Sequence, residues 1–323
     1  MSRYARQMVL PEVGAEGQAR LARAHVVVVG AGGLGCPVLQ YLAGAGVGRI
    51  TLVDPDTVEE SNLHRQPLYR MADLGRPKAL AARDHLRAAH PDLRIDPTIR
   101  HLDPANAPAL VKSADVVVDA ADSFAVSYAL SDTCLTHAVP LVSASVLGQS
   151  GYAGGFCGDA PSLRAVFPDP PGSGATCATA GVMGPVVGAL GAVQAQMVLK
   201  ILLGHSSPSP LGRIVSLDMT TTRLGGFSFV GASEPALSFP FVARQSLSAR
   251  DRIIELRDEA ETPTLPHASA RRLVVETLDR VPPALGRRVV LCCATGLRAW
   301  RAATKLSGQG HTNLALFVAE AFG

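Results

Sequence analysis

The residues best suited to chemistry in this chain begin with a glycine-rich turn that follows a run of valines. The turn reads Gly30-Ala31-Gly32-Gly33-Leu34-Gly35. Gly30 and Gly32 let the backbone approach a phosphate closely, and Gly35 lets the following helix pack against the preceding strand. The pattern therefore predicts that a nucleotide phosphate binds at the N-terminus of that helix.

A carboxylate follows at the position where dinucleotide-binding proteins bind ribose. Asp54 ends the second predicted strand, nineteen residues after Gly35. Such a carboxylate hydrogen-bonds the ribose hydroxyls in a nucleotide-binding fold. The glycine turn and Asp54 together fit an NAD-dependent oxidoreductase and an ATP-binding enzyme equally well.

Three later segments favour a triphosphate over a nicotinamide. Asn62 and Arg65 lie after the second strand, and a guanidinium stabilises charge that develops during phosphoryl or adenylyl transfer. Lys78 begins a helix and can neutralise the β and γ phosphates as a point charge. Asp122 follows the fourth strand, at the edge where open α/β sheets bind ligands, and a carboxylate there suits Mg²⁺.

Each of these residues also has an ordinary structural interpretation. Arg65 fits a surface arginine, and Asp122 fits a helix N-cap. Their order along the chain nevertheless favours an adenylating enzyme over a dehydrogenase.

The elements that position these residues alternate between strand and helix. Such alternation predicts a doubly wound, mostly parallel α/β sheet of the Rossmann type. We expect strands at residues 26–29, 50–53, 93–95, 116–118 and 141–143, and helices at residues 34–44, 77–90 and 124–137. After residue 148 we expect one or two antiparallel strands, a mobile glycine- and proline-rich loop, a buried helix at 182–203, and strands near 213–217 and 227–230.

A second, smaller unit is predicted after a linker at residues 232–238. Its strands are expected at residues 253–256 and 288–292. The predicted domains are residues 1–235 and residues 241–323.

Composition narrows the classes of partner and compartment. Apolar residues make up 47% of the 323-residue chain, charged residues 18%, and the net charge is +3. This charge is too small to predict nucleic-acid binding, and no uninterrupted apolar run reaches membrane-spanning length. The six cysteines form no C-x-x-C pair, so we expect neither a disulfide framework nor a zinc site, and a reducing cytoplasm is the simplest setting.

Taken in order, these motifs resemble the ThiF/MoeB family of ubiquitin-activating-enzyme-like adenylyltransferases. The resemblance covers roughly residues 1–230, including the opening Arg3-Tyr4-Ala5-Arg6-Gln7 and the run from Thr176 to Pro185. It implies that ATP and Mg²⁺ adenylate the C-terminal glycine of a small ubiquitin-fold sulfur carrier that ends in Gly-Gly. The implied ATP-binding residues are Gly30, Gly32, Gly33, Gly35, Asp54, Asp56, Ser61, Asn62, Arg65, Gln66, Lys78, Asp122 and Ser123, with Asp122 as the metal ligand.

The resemblance also implies a homodimer and a role for one cysteine. Arg6 is expected to reach the nucleotide of the neighbouring subunit. Cys177 matches a cysteine that handles sulfur or acyl transfer in some members, although a small buried residue at a helix start is the alternative.

The chain departs from the family pattern at its zinc ligands. Ser162 and Ala165 stand where the first C-x-x-C pair falls, and residues 232–237 contain no cysteine. No structural zinc is therefore expected, and packing has to fasten this segment. Ser123 also replaces the usual asparagine.

Residues 289–299 resemble the active-site loop of a rhodanese domain, with Cys293 as the persulfide cysteine. Backbone N–H groups at the start of the next helix are expected to favour the anionic form of its sulfur. Ala294 and Ala299 depart from the usual arginine and serine. An active sulfurtransferase, with or without a separate sulfur-donor protein, and a degenerate docking module both remain open. For the whole chain, the alternatives are a nicotinamide-dependent oxidoreductase and a silent scaffold that binds a carrier.

Overall fold

The computed structural model describes residues 3–171, 181–204, 208–282 and 286–322. Its largest element is an eight-stranded sheet. The strands are β1 (His25–Val29), β2 (Arg49–Val53), β3 (Arg94–Thr98), β4 (Val116–Asp119), β5 (Pro140–Leu147), β6 (Ser150–Cys157), β7 (Arg213–Asp218) and β8 (Arg223–Ser228). The valine-rich strands β1 and β4 are buried along their whole length, as expected for a sheet covered on both faces.

The strand order is β3-β2-β1-β4-β5-β6-β7-β8. Pairings from β3 to β5 are parallel, and those from β5 to β8 are antiparallel. The predicted mostly parallel α/β sheet with an antiparallel extension is confirmed. The chain reverses its direction of travel across the sheet between β1 and β4, which defines a topological switch point.

Helices connect the strands and cover the sheet. They are α1 (Ala5–Met8), α2 (Gly14–Arg23), α3 (Gly35–Ala45), α4 (Lys78–Ala89), α5 (Ala107–Val111), α6 (Phe124–Thr136), α7 (Leu163–Val166) and α8 (Gly184–Leu202). Short 3₁₀ helices occupy Glu60–Asn62 and Met71–Asp73. By length and composition α8 could cross a bilayer, alone among the described helices, but it packs against α3 and strands β4 to β7.

Three sequence expectations need correction. The last strand of the large sheet begins at Arg223 rather than near residue 227, because it pairs with β7 from Asp218 onward in a tight hairpin. The expected loop contains the short helix α7, which begins where the side chain of Ser162 accepts a hydrogen bond from the backbone N–H of Arg164. Residues 172–180, which include Cys177, lie outside the described residues.

The third correction concerns the predicted linker and the segment that lacks zinc ligands. The carboxylate of Glu234 accepts hydrogen bonds from the backbone N–H of Ser162, at 2.7 Å, and from its hydroxyl group. Hydrogen bonding to an ionised acceptor therefore fastens this segment, in addition to packing. Residues 232–238 are anchored to the first unit at this point.

The second sheet is small and entirely parallel. Its strands are β9 (Arg252–Glu255), β10 (Arg271–Arg272), β11 (Val289–Cys293) and β12 (Leu314–Val318), in the order β10-β9-β11-β12. Two helices, α9 (Leu297–Gly308) and α10 (Ala319–Phe322), and 3₁₀ segments at Arg244–Ser246 and Val275–Arg280 complete this part. Its switch point lies between β9 and β11, so Cys293 ends a strand at the edge where ligands bind in such sheets.

One continuous apolar core joins the two sheets through α6. At its centre, Arg164 is 4% exposed, and its guanidinium lies 4.6 Å from the ring centroid of Tyr128 and 5.5 Å from that of Trp300. Two hydrogen bonds of 2.6 and 2.9 Å join it to the carboxylate of Asp132. The ion pair and the cation–π contacts stabilise this buried charge, while Nη1 of Arg164 has no hydrogen-bond partner among the described residues.

Candidate nucleotide-binding site

The glycine turn lies at the switch point of the large sheet. Gly30 has a φ of +98°, and a Cβ atom there would lie 2.5 Å from the carbonyl oxygen of Ala120, which follows β4. A Cβ atom at Gly35 would overlap the carbonyl oxygen of Gly30. Glycine is therefore required at both positions, because any side chain would force the turn away from the sheet edge. The N-terminus of α3 carries no side-chain cap, which leaves it open to an anion.

Asp54 shapes this turn from the neighbouring strand. Its carboxylate accepts hydrogen bonds from the backbone N–H of Ala31 at 2.6 Å and of Asp56 at 2.8 Å. Burial raises the pKa of Asp54, while these hydrogen bonds oppose the rise. Both carboxylate oxygens thus bind backbone groups, and the ribose contact stays a prediction.

Tyr69 is a structural partner that the sequence analysis missed. Its hydroxyl group donates to the carbonyl oxygen of Ala31 at 2.8 Å and approaches that of Lys78 at 3.4 Å. The phenol therefore joins the glycine turn to the start of α4. The only signal for Tyr69 in the sequence was that it lies three residues after Gln66, close to the predicted site residues.

Lys78 is held at the carboxyl edge of β2 by Asp56. Its side chain is only 7% exposed, and its Nζ lies 2.9 Å from Oδ2 of Asp56, which is largely exposed. The backbone of Lys78 also donates to the carbonyl oxygen of Asp56 at 2.8 Å. The lysine is thus positioned at the side of the sheet where the glycine turn opens.

The segment from Ser61 to Gln66 covers the turn. Asn62 is buried, and its backbone carbonyl accepts hydrogen bonds from the N–H groups of Arg65 and Gln66 at 3.1 and 3.0 Å. Gln66 is also buried, lies beside Gly32, and has an Oε1 atom with no hydrogen-bond partner among the described residues. A buried amide oxygen without a partner is costly, so a ligand that supplies a donor fits here.

The loop after β4 is built on Asp119, which the sequence analysis did not select as a site residue. Its carboxylate accepts from the hydroxyl of Ser143 at 2.7 Å and from the backbone N–H of Ala121 at 3.2 Å. Gln194 of α8 donates to the carbonyl oxygen of Asp119 at 2.6 Å. Complete burial raises the pKa of Asp119 to about 6.

Asp122 projects from this loop, where its side chain is exposed. Ser123 rather than Asp122 is the N-cap residue of α6, so the alternative interpretation of Asp122 as a helix cap is not supported. An exposed carboxylate just beyond the carboxyl end of a strand has the chemistry that Mg²⁺ requires.

Two predicted residues lie away from this edge. Arg6 is on α1, and its neighbour Gln7 donates to the carbonyl oxygen of Ala45 at the C-terminal end of α3. This is the opposite end of α3 from the glycine turn, about 16 Å along the helix axis. The chain therefore does not bring Arg6 to its own nucleotide site.

Cys293 lies at the end of a strand of the second sheet, and two backbone N–H groups donate to its sulfur. The N–H groups of Gly296 and Ala299 donate to its sulfur at 3.1 and 3.3 Å. Burial nevertheless raises the pKa of the thiol, with these hydrogen bonds acting in the opposite direction. The expected donors are present and act in the predicted direction, but the effect of burial on the pKa is larger, because Cys293 is only 1% exposed.

The strand order and the glycine turn at the switch point define a doubly wound α/β protein of the nucleotide-binding type. The family model for the ThiF family matches residues 4–236. The chain belongs to this family, and the match ends before the second sheet.

Curated relatives share much of the same region. SAMP-activating enzyme E1 of Haloferax volcanii is 42% identical over 225 residues, which cover 68% of this chain and 83% of that protein. Sulfur carrier protein adenylyltransferase of Thermus thermophilus is 46% identical over 216 residues, which cover 64% of this chain and 80% of that protein. Adenylyltransferase and sulfurtransferase uba4 of Aspergillus fumigatus is 46% identical over 211 residues, 62% of this chain but only 43% of that protein.

Solved structures share the fold. MccB of E. coli, solved with ATP, has a TM-score of 0.63 and 22% identity, covering 74% of each chain. The structure of PaaA has a TM-score of 0.60 and 22% identity, covering 71% of this chain and 73% of that one.

Proposed function

We propose that this protein uses ATP and Mg²⁺ to adenylate the C-terminal glycine of a small ubiquitin-fold sulfur-carrier protein ending in Gly-Gly. The observation that carries the proposal is the convergence of Arg65, Lys78 and Asp122 at one sheet edge, around a glycine turn open to an anion. A nicotinamide dinucleotide would not need this combination. The names of the relatives from Haloferax and Thermus support the same reaction.

In the proposed step, a carboxylate oxygen of the carrier attacks the α-phosphorus of ATP. The bond between that phosphorus and the bridging oxygen breaks, and pyrophosphate leaves. Lys78 and Arg65 neutralise phosphate charge, and the turn with the N-terminus of α3 holds the phosphates by backbone N–H groups. Mg²⁺, held by Asp122, would supply further charge neutralisation. Catalysis then depends on position and charge rather than on a protein nucleophile.

The remaining proposed contacts concern the nucleoside and its surroundings. Asp54 and Asn62 lie where the ribose is expected, and Gln66 offers its unpartnered amide oxygen to a ligand donor. Asp56, Ser61 and Ser123 complete the proposed binding residues, Asp56 by orienting Lys78.

The proposal includes a homodimer in which Arg6 reaches the nucleotide of the partner. Two observations support it. Arg6 lies at the end of α3 remote from its own glycine turn. Val9 and Leu10, which follow it, are 78% and 52% exposed, as expected for residues that another subunit covers. We also retain the expected cytoplasmic setting.

Sulfur transfer is a second candidate function, in a rhodanese-like unit from about residue 241. The observation that favours it is the pair of backbone donors aimed at the sulfur of Cys293. The outer sulfur of a persulfide there would attack the acyl carbon of the acyl-adenylate, releasing AMP and joining the carrier to Cys293 through an acyl disulfide. An external thiol would then attack the sulfur of Cys293, forming a mixed disulfide with it and releasing the carrier's thiocarboxylate. Restoring the persulfide requires a separate sulfur donor. The name of the Aspergillus relative includes this activity, but the match covers less than half of that protein.

The test is the intact mass of candidate carriers after incubation with the full-length protein, ATP and Mg²⁺. We expect a mass gain of one adenylyl group, lost with Arg65→Ala and with Asp122→Ala. Asp92→Ala is the matched control, because Asp92 is an exposed aspartate just before β3, at the opposite edge of the sheet.

The alternatives give different results. Tight NADH binding without any adduct would favour the oxidoreductase. Carrier binding without ATP turnover would favour the silent scaffold. An adduct that survives Asp122→Ala would overturn the assignment of this carboxylate.

A further inference from the structure

The guanidinium of Arg65 is held by a neighbouring imidazole. Its Nη1 atom lies 2.7 Å from Nε2 of His64 and donates to the carbonyl oxygen of Ser61 at 3.1 Å. The aliphatic stem of Arg65 runs along Gly33, where a Cβ atom would lie 3.6 and 3.7 Å from its Cγ and Cδ atoms. The arginine is thus anchored at its stem by the glycine turn and at one nitrogen by two acceptors.

This arrangement leaves one edge of the guanidinium for a ligand. Both hydrogens of Nη1 are directed to acceptors within the protein. The described residues provide no hydrogen bond to Nε or Nη2 of Arg65. An arginine fixed by one nitrogen loses less side-chain freedom when its remaining donors bind phosphate.

The contact requires one protonation state of the imidazole. Arginine can only donate, so Nε2 of His64 must accept, which places the proton of a neutral ring on Nδ1. A protonated ring has a donor at Nε2 and a positive charge, and it would repel the guanidinium instead of orienting it.

We infer that neutral His64 is a positioning residue that aims Arg65 at the phosphates of ATP, an inference that rests on the proposed function. Protonation of His64 would then disable adenylation.

The charged groups near His64 lie on its own segment. Its own segment carries Glu59, Glu60 and Arg65, and the Glu59 carboxylate accepts from the hydroxyl of Ser61. A cleft of 260 Å³ beside the ring is otherwise lined by the uncharged residues Pro37, Pro67, Gly184, Pro185 and Gly188. The start of α3 adds only Cys36, whose buried thiol is directed at the carbonyl oxygen of Ala31.

Three substitutions at one position separate the possible roles. His64→Gln keeps a neutral acceptor that cannot titrate, His64→Ala removes the acceptor, and His64→Lys supplies a permanent cation. His267→Gln is the matched control, because the imidazole of this half-buried histidine of the second unit forms hydrogen bonds only with Ser269 among the described residues. All variants are made in the full chain, since the large sheet and the second sheet share one apolar core.

The assay is carrier-dependent ATP–pyrophosphate exchange between about pH 5.5 and about pH 8.5, a range that spans the titration of an imidazole. At the alkaline end we expect His64→Ala to lower kcat/KM for ATP about threefold to tenfold, the scale of one exposed charge-assisted hydrogen bond. His64→Gln should restore most of this loss, and His64→Lys should be the least active. The ratio of wild-type to His64→Gln activity should fall as the pH falls.

A double-mutant cycle with Arg65→Ala tests the route of the effect, and its readout is the calorimetric affinity for ATP, because Arg65→Ala is expected to lose adenylation. If His64 acts through Arg65, His64→Ala has no further effect once Arg65 is removed. An additive effect would overturn the inference, as would a His64→Gln variant that is as impaired as His64→Ala and keeps the wild-type pH profile.

Failure of the proposed function would look different. The wild type itself would then give no exchange with any carrier. Calorimetric titration with ATP alone would still measure nucleotide binding. We expect His64→Ala to weaken ATP binding when Arg65 is present and to have no effect in the Arg65→Ala variant. Equal ATP affinity of the wild type and His64→Ala at alkaline pH would then refute the positioning role.

Discussion

Replacing Asp119 by asparagine should stabilise this protein at neutral pH. The carboxylate of Asp119 is completely buried beneath the loop that carries Asp122, and burial raises its pKa to about 6. Asparagine keeps the shape and one acceptor for the backbone N–H of Ala121, and the hydroxyl of Ser143 can rotate to accept from the new amide. The substitution removes a charge that the fold must desolvate.

The expected gain in the free energy of unfolding follows from the pKa shift of Asp119. A rise from 3.8 to about 6 is roughly two pKa units, and each unit corresponds to about 1.4 kcal/mol. Because the folded-state pKa lies above the unfolded value, the favourable contribution of the protonated form is complete below about pH 4. It is lost as the pH rises through about 6. Asp119→Asn should therefore gain up to about 3 kcal/mol at pH 7 and less than about 1 kcal/mol at pH 4.

Thermal unfolding of both proteins measures this difference. For a chain of 323 residues, about 3 kcal/mol corresponds to a rise in Tm of about 4 °C. The rise should shrink steadily when the measurement is repeated between pH 7 and about pH 4. The adenylation assay, run in parallel, reports whether the loop keeps its shape.

A pH-independent difference would refute this reasoning, because it would mean that Asp119 does not change its protonation state in the folded protein over this range. A lower Tm at pH 7 would show that its hydrogen bonds as a carboxylate outweigh the desolvation of its charge.

Three further outcomes are expected. Gly30→Ala should weaken ATP binding at least about tenfold, because its Cβ atom would clash with the loop after β4, whereas Gly44→Ala, with open space around its Cβ, should leave calorimetric affinity unchanged. Asp132→Ala should lower Tm more than Arg164→Met, because it leaves a buried guanidinium without its carboxylate; the reverse order would contradict the importance of that pair. Iodoacetamide should label Cys293 slowly in the native protein at neutral pH and rapidly in urea, by mass spectrometry, because burial raises its pKa and limits access; rapid native labelling would show that the loop opens.

Much of the first sheet was predictable because its signals are local. Valine runs that alternate with helical stretches indicate buried parallel strands, and the glycines at 30 and 35 occupy positions where a side chain cannot fit. The carboxyl ends of parallel strands share one edge, so the order of Asp54, Lys78 and Asp122 was enough to predict a common site. Cys293 was selected by the resemblance of its loop to that of a rhodanese domain, and it lies at the end of a buried strand.

The supports of the site depended on the tertiary structure. Gln194 lies 75 residues from the carbonyl group of Asp119 to which it donates, and Glu234 lies 72 residues from Ser162. No spacing rule connects such pairs, because intervening chain segments of this length place little restriction on which residues meet. The raised pKa values of Asp119 and Cys293 likewise arise from burial, which depends on every element packed around them.

The sequence by itself determined the class of fold, and it predicted the set of side chains at the carboxyl edge of the large sheet, since both follow from local periodicity and strand direction. Only the tertiary structure decided how those side chains are held: Lys78 by Asp56, Asp54 by the turn it supports, and Arg65 by His64. It also decided that the second sheet shares a core with the first, through Arg164 and the aromatic rings around it. These are contacts between distant segments, and their energies depend on burial and geometry that no short stretch of sequence contains.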